Sequence, residues 1–197
     1  MGIPLDKAEF LALFLETFIY GVFFTLCTIT LIVLVRFRQS DNRRDGYLRL
    51  IAGIMLVLAT SHLILDFVRA VHAFVIDRDE LAPIGPAAYY ESLNAPLFLA
   101  KTVLYWTQTM VGDGVIVWRC YVVYGRRILF VAFPIILMLG VFVSGVQVVN
   151  SLAHATLGSD IFTTAENWIT VYFVLTMTIN LYCSGASHGA RLQPMAY

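Results

Sequence analysis

Residues 128–149 read ILFVAFPIILMLGVFVSGVQVV, a run of 22 residues without Asp, Glu, Lys or Arg. About 20 apolar residues in a helix are enough to cross a hydrocarbon core of roughly 30 Å. A helix also satisfies all of its backbone polar groups internally, which an open strand cannot do in lipid. This stretch therefore predicts a transmembrane helix.

Four further stretches share this length and apolar character, so the chain predicts an all-α, multi-pass transmembrane bundle. The five predicted spans are residues 10–35, 50–74, 96–123, 128–149 and 168–184. Composition agrees, because 59% of the residues are hydrophobic and 13% are charged, against about 45–50% and about 25% in soluble domains. We expect residues 1–185 to form a single transmembrane domain and residues 186–197 to form a short cytosolic tail.

The distribution of basic residues predicts the orientation of the bundle. One side of the predicted membrane carries Arg36, Arg38, Arg43, Arg44, Arg49, Arg119, Arg126, Arg127 and Arg191. The other side carries only Lys7, Arg69 and Arg78. This asymmetry predicts an integral membrane protein with its N-terminus outside and its C-terminus in the cytosol. The 13 basic and 13 acidic residues cancel, so we expect the lipid bilayer, and no nucleic acid, as a partner.

Ionisable side chains inside the predicted spans indicate a site, because they are costly in lipid. From the helical rise of about 1.5 Å per residue, one layer of the outer half contains Glu16, Asp66, Arg69 and Lys101. His62, Asp66 and Arg69 also follow an i, i+4, i+7 spacing, which places them on one helix face. This pattern fits an ion-pair network of Asp66 with Lys101 or Arg69, an external pocket for a small ligand or ion, or a proton relay.

Metal binding has little support from the sequence, because His62 and Asp66 supply two plausible ligands where a zinc site needs three or four. We therefore expect no metal and no cofactor. The sequence also lacks G-x-S-x-G, H-E-x-x-H and P-loop motifs, so it predicts a protein without enzymatic activity.

A second polar position lies further along the third predicted span, at Asp113 between two glycines. It has no obvious basic partner at its depth, so we expect it to be protonated, to bind an ion, or to accept a hydrogen bond from a residue such as Asn180. Gln108 lies about one turn away and would extend the same polar path.

Two further features of this half of the chain concern packing and contacts. Gly140, Ser144 and Gly145 form a small-residue face that predicts close helix packing. A basic face for membrane anchoring or for a cytosolic partner contains Arg119, Arg126 and Arg127.

Three motifs resemble those of a large family of integral membrane proteins from basidiomycete fungi. They are LETFIYG at residues 15–21, ATSHLILDFVR at residues 59–69, and the segment from QTMVGD to WRCYVVY at residues 108–124. The resemblance implies a seven-helix, receptor-like fold with an external N-terminus, and it implies no ligand. Such proteins continue into two more helices, so we expect residues from about 186 onward to be a truncated end.

The function favoured by these features is a receptor-like membrane sensor with an external polar pocket that accepts a small ligand or ion. Two other classes fit the same residues. One is a proton- or cation-coupled transporter or channel that uses His62, Asp66 and Asp113, and the other is a membrane scaffold whose polar residues only hold helices together.

Overall fold

The computed structural model describes residues 5–36, 42–76, 89–90, 95–125, 127–155 and 161–192, and these residues contain no strand. Helix accounts for 96% of them, which confirms the predicted all-α class. The five long helices are α1 (Leu5–Arg36), α2 (Asn42–Val71), α3 (Pro96–Val123), α4 (Ile128–Ala153) and α5 (Ile161–Leu192), and a π-helical turn, His72–Ile76, follows α2.

Four of these helices are long and apolar enough to cross a membrane. Within the described ranges, the qualifying segments are Lys7–Arg36, Gly46–Ile76, Ile128–Ala153 and Ala165–Ala186. Helix α3 has the length but is not among them, because its mean hydropathy is too low: polar residues such as Gln108 accompany its charged ones. A crossing by α3, and the orientation that depends on five spans, stay predictions.

The ends of α3 follow from its sequence. Pro96 occupies the first helical position, where its missing N–H costs no hydrogen bond. At the other end, Gly125 adopts a positive φ of 61°, and its N–H donates to the carbonyl of Val122 at 3.2 Å. This left-handed backbone conformation ends α3, and α4 begins three residues later, at Ile128.

The chain divides into two compact units. The first unit comprises Met1–Tyr105 with Thr156–Gly158, and the second comprises Trp106–Ala155 with Ser159–Tyr197. One continuous helix, α3, supplies residues to both units. The division therefore does not test the predicted single domain, which stays a prediction.

Polar contacts join α1 to α2 in the first unit. The hydroxyl groups of Tyr20 and Thr60 are 2.8 Å apart, and the thiol of Cys27 donates to the carbonyl of Ala52 at 3.7 Å. Apart from Cys27, the side chains described on α1 are exposed or only partly buried. Lipid suits such an apolar exposed helix better than water does.

An apolar core fills the second unit, between α4, α5 and the later part of α3. Its buried members are Val117, Cys120, Val131, Val141, Tyr172, Ile179 and Cys183. The predicted small-residue face of α4 contributes to this packing, because a Cβ at Gly140 would lie 2.8 Å from a methyl group of Leu175. A Cβ at Gly145 would overlap the indole of Trp106, so α3 approaches α4 closely there because this position is glycine, whereas the flexible Leu175 side chain could move away from a Cβ at Gly140.

Helix α5 extends beyond the predicted fifth span, residues 168–184. The helix continues through Leu192, and the assignment of residues 186–197 to a cytosolic tail stays a prediction. The segment contains Ala, Arg and Leu, which favour helix, and the carbonyl of Ala186 accepts a hydrogen bond from the hydroxyl of Tyr124 at 3.0 Å. Residues 193–197 lie outside the described residues.

Candidate functional site

The polar layer of the first unit forms a single group of side chains. It comprises Glu16 of α1, His62, Asp66 and Arg69 of α2, and Lys101 of α3, and is called the polar cluster below. The i, i+4, i+7 spacing brings the three α2 residues onto one face, as the sequence predicts. Helices α1 and α3 then add one charged residue each.

Asp66 and Lys101 form the central ion pair of the polar cluster. The Lys101 ammonium lies 2.5 Å from Oδ1 and 2.6 Å from Oδ2 of Asp66. Arg69 is a distant second partner, since its Nη1 is 3.9 Å from Oδ1. Of the two pairings that the sequence left open, the structure therefore shows Lys101 as the close one.

His62 pairs with Glu16 rather than with Asp66. The His62 Nδ1 and the Glu16 Oε1 are 2.5 Å apart, a distance that requires a proton between them. Donation from Nδ1–H to the carboxylate satisfies both groups. Sequence reasoning placed Glu16 in the correct layer but missed this pairing, because the rotation of α1 about its axis is not encoded in one helix alone.

Arg69 is held mainly by aromatic rings. Its guanidinium carbon lies 5.2 Å from the ring centre of Tyr90 and 4.9 Å from that of Phe98. Both distances are within the range of cation–π attraction. Burial raises the pKa of Tyr90 and the charge of Glu9 adds to this, whereas the Arg69 cation opposes it. The tyrosine thus remains neutral and suited to contact a buried cation.

A narrow crevice reaches the polar cluster between α1 and the end of α2. Its lining consists of Glu9, Phe10, Leu13, Asp66, Arg69, Ala70 and Tyr90. The space is about large enough for one water molecule. The crevice therefore suits an ion or a very small ligand better than an organic molecule of drug size.

Three members of the polar cluster present atoms that can bind a metal. Donor atoms of Glu16, His62 and Asp66 all lie within 4.8 Å of one another. The sequence argument counted two of these donors, and the third comes from α1. No comparable group of three His, Cys, Asp or Glu donors occurs elsewhere in the described ranges.

The predicted inner site of the second unit is partly assembled. The Asn180 side-chain amide donates to Asp113 Oδ1 at 3.2 Å and to the Thr176 carbonyl at 2.9 Å. Asp113 is buried, and its Oδ2 has no hydrogen bond among the described residues. Gln108 is half-buried on α3, and within the described residues it does not take part in the hydrogen bonds of Asp113 and Asn180.

The predicted basic face is described in part. Arg119 and Arg127 are exposed at the end of α3 and just before α4. Arg126 lies outside the described residues. Exposure of these two arginines, eight residues apart in sequence, is compatible with either headgroup anchoring or a cytosolic partner.

Comparisons with family models, curated proteins and solved structures give no match for this chain. The resemblance to the fungal membrane family therefore stays a prediction, and the geometry of the polar cluster is the basis for a functional proposal.

Proposed function

We propose that this protein is a receptor-like membrane sensor without enzymatic activity, and that the polar cluster is its responsive site. The observation that carries the proposal is the Asp66–Lys101 ion pair, which joins α2 to α3 in a largely buried position. A protein in which a buried ion pair is replaced by apolar residues of similar volume is often as stable as the original. Retaining charges here is therefore better explained by a response than by packing.

The charges of the polar cluster cancel, which makes it responsive to a charged solute. Glu16 and Asp66 offset Arg69 and Lys101 while His62 is neutral. An ion that enters must replace an existing partner, and a ligand that favours one arrangement shifts the population toward it. The Lys101 contact is one of those that join α2 to α3, beside that of Arg69 with the Phe98 ring, so its loss would weaken the contact between these helices.

Helix α3 offers a route by which such a change reaches the predicted cytosolic face. Lys101 lies near its start, Arg119 lies in its last turns, and Val123 is its last residue. A movement at Lys101 would displace a single continuous helix, and with it the residues that we propose contact a cytosolic partner.

The contacts of His62 favour binding over catalysis. Its ring nitrogen pairs with a carboxylate of Glu16, whereas nucleophilic catalysis needs a hydroxyl or thiol activated by the base. The described part of the polar cluster contains no such pair.

A proton- or cation-coupled transporter is the second candidate, and Asp113 favours it. A buried carboxylate with one oxygen free of hydrogen bonds is a plausible resting place for a cation or proton. Ion flux into proteoliposomes that the Asp113→Asn variant abolishes would support transport, and equal flux in this variant would exclude that role.

Fluorescence in lipid nanodiscs tests the sensor proposal. A fluorophore is attached to the Val123→Cys variant, whose three native cysteines are buried. Protons, inorganic cations, small carboxylates and amino acids are then added in turn. We expect at least one of them to change the emission, and we expect Asp66→Leu/Lys101→Leu to abolish that change without lowering the thermal midpoint.

The matched control removes one acid and one base from exposed positions. The Lys7→Leu/Glu166→Leu protein should respond as the wild type does, since both residues lie outside the polar cluster. A response that survives in Asp66→Leu/Lys101→Leu would contradict the proposal. If the wild type and these variants all fold stably and none of them responds to any solute, a membrane scaffold is the better description of the function.

A further inference from the structure

We propose that the ligand of the polar cluster is a divalent transition-metal ion, bound by Glu16, His62 and Asp66. This inference rests on the proposed sensor function and names its ligand class. It also goes against the expectation from the sequence, in which only two donors were available.

The spacing of the donor atoms suits a metal ion. Bonds from zinc to imidazole nitrogen or carboxylate oxygen are about 2.0–2.2 Å in tetrahedral geometry, so two donors to one ion are roughly 3.4 Å apart. The three donors of the polar cluster already lie within 4.8 Å of one another. The donors of His62 and Glu16, 2.5 Å apart, would have to separate, and more distant donors would have to approach. Side-chain rotations that move these atoms by about an ångström would give the spacing that zinc requires.

The chemistry of the donors selects the class of metal. One imidazole with two carboxylates suits zinc, manganese or ferrous iron, whereas calcium and magnesium prefer shells composed of oxygen. The neutral His62 ring can bind such an ion through Nδ1 when the ring proton is on Nε2, so the ring adds no positive charge to the site. Glu16 and Asp66 together balance the two charges of the ion.

Lys101 is the residue that metal binding would displace. Its ammonium occupies both oxygens of Asp66, and two cations would repel each other on one carboxylate. Arg69 can stay in place, because its guanidinium lies against Tyr90 and Phe98. The metal thus exchanges with a cation that belongs to α3, which is how binding would alter the contact between α2 and α3.

The test uses the full chain, free of affinity tags, in nanodiscs. Zinc binding is measured by calorimetry, and the zinc X-ray absorption spectrum identifies the bound atoms. We expect one zinc ion per chain, with oxygen donors, one imidazole and no sulfur. A roughly hundredfold excess of magnesium should leave the zinc bound, because an imidazole donor disfavours magnesium.

Variants locate the site. Glu16→Gln and His62→Gln should each weaken zinc binding by at least about tenfold, whereas His154→Gln, at an exposed histidine after α4, should bind as the wild type does. Lys101→Met should bind zinc more tightly, because the competing ammonium is gone. A purely structural role of Lys101 predicts no such gain.

Several results would overturn the inference. They are the absence of zinc binding, sulfur in the absorption spectrum, or unchanged affinity in His62→Gln. If the variants do not fold, the spectrum of the wild-type protein still decides, since the buried cysteines are the competing donors.

The two proposals fail separately. If zinc binds at the polar cluster but does not change the emission of the labelled Val123→Cys protein, the metal-site proposal stands and the sensor proposal is wrong. If the protein responds to some other solute and does not bind zinc, the sensor proposal stands and the metal-site proposal is wrong.

Discussion

Asp66 in the first unit and Asp113 in the second are both buried aspartates, with 8% and 3% of their surface exposed. Their partners differ. Asp66 accepts two close contacts from the Lys101 ammonium, whereas Asp113 accepts one hydrogen bond from the neutral amide of Asn180. The comparison teaches that, among the described residues, the buried acid of the first unit is neutralised by a cation from another helix, whereas that of the second unit pairs with a neutral amide.

The two units also differ in what holds their helices together. In the apolar 18-residue stretch that qualifies α1 as a span, only 6% of the residues are buried, whereas in the corresponding stretch of α4 28% are buried. The first unit therefore depends more on polar contacts such as Asp66–Lys101 and Glu16–His62, and the second depends on its apolar core and on close helix approach. Substitutions of each kind should separate these two modes of stabilisation.

The largest effect is expected for Lys101→Met. Removal of one partner of a buried ion pair costs about 3–5 kcal/mol, and we expect about 3 kcal/mol here because the Lys101 side chain retains 23% exposure and Arg69 remains near Asp66. The thermal midpoint in nanodiscs should fall by roughly 6–12 °C.

The control for this substitution is Lys7→Met, which makes the same chemical change at an exposed position of α1. Its midpoint should stay within about 1–2 °C of the wild type. Equal midpoints for the two variants would show that charge pairing does not hold the first unit together.

A smaller effect is expected for Gly145→Ala in the second unit. The added methyl group would overlap the indole of Trp106, and overpacking of this kind costs about 2 kcal/mol. Gly53→Ala, where nothing lies within 4 Å of the new Cβ, should not destabilise the protein, because alanine favours helix over glycine. A midpoint for Gly145→Ala at or above that of Gly53→Ala would refute the close approach.

Several features could be predicted from the sequence because they depend on one helix at a time. The all-α class, the α2 face that carries His62, Asp66 and Arg69, and the small-residue face of α4 follow from composition and helical periodicity. The Asp66–Lys101 and Asp113–Asn180 contacts were among the predicted alternatives, because depth along the helices limits which polar residues can meet.

Features that depend on the rotation of one helix relative to another could not be predicted. Glu16 meets His62, and with Asp66 it completes three metal donors, only because of the way α1 faces α2. The contact of Tyr90 with the Arg69 guanidinium is of the same kind. That contact depends on the return of the chain toward α2, which no local pattern encodes.

The same substitution at the two aspartates tests the central comparison most directly. Asp66→Asn leaves the Lys101 ammonium without its paired carboxylate, whereas Asp113→Asn removes a buried acid whose hydrogen-bond partner among the described residues is the neutral amide of Asn180. We predict that the thermal midpoint in nanodiscs falls by roughly 4–8 °C for Asp66→Asn, and that it stays unchanged or rises for Asp113→Asn. Equal losses in both variants would contradict the account that only the first unit depends on a compensated charge.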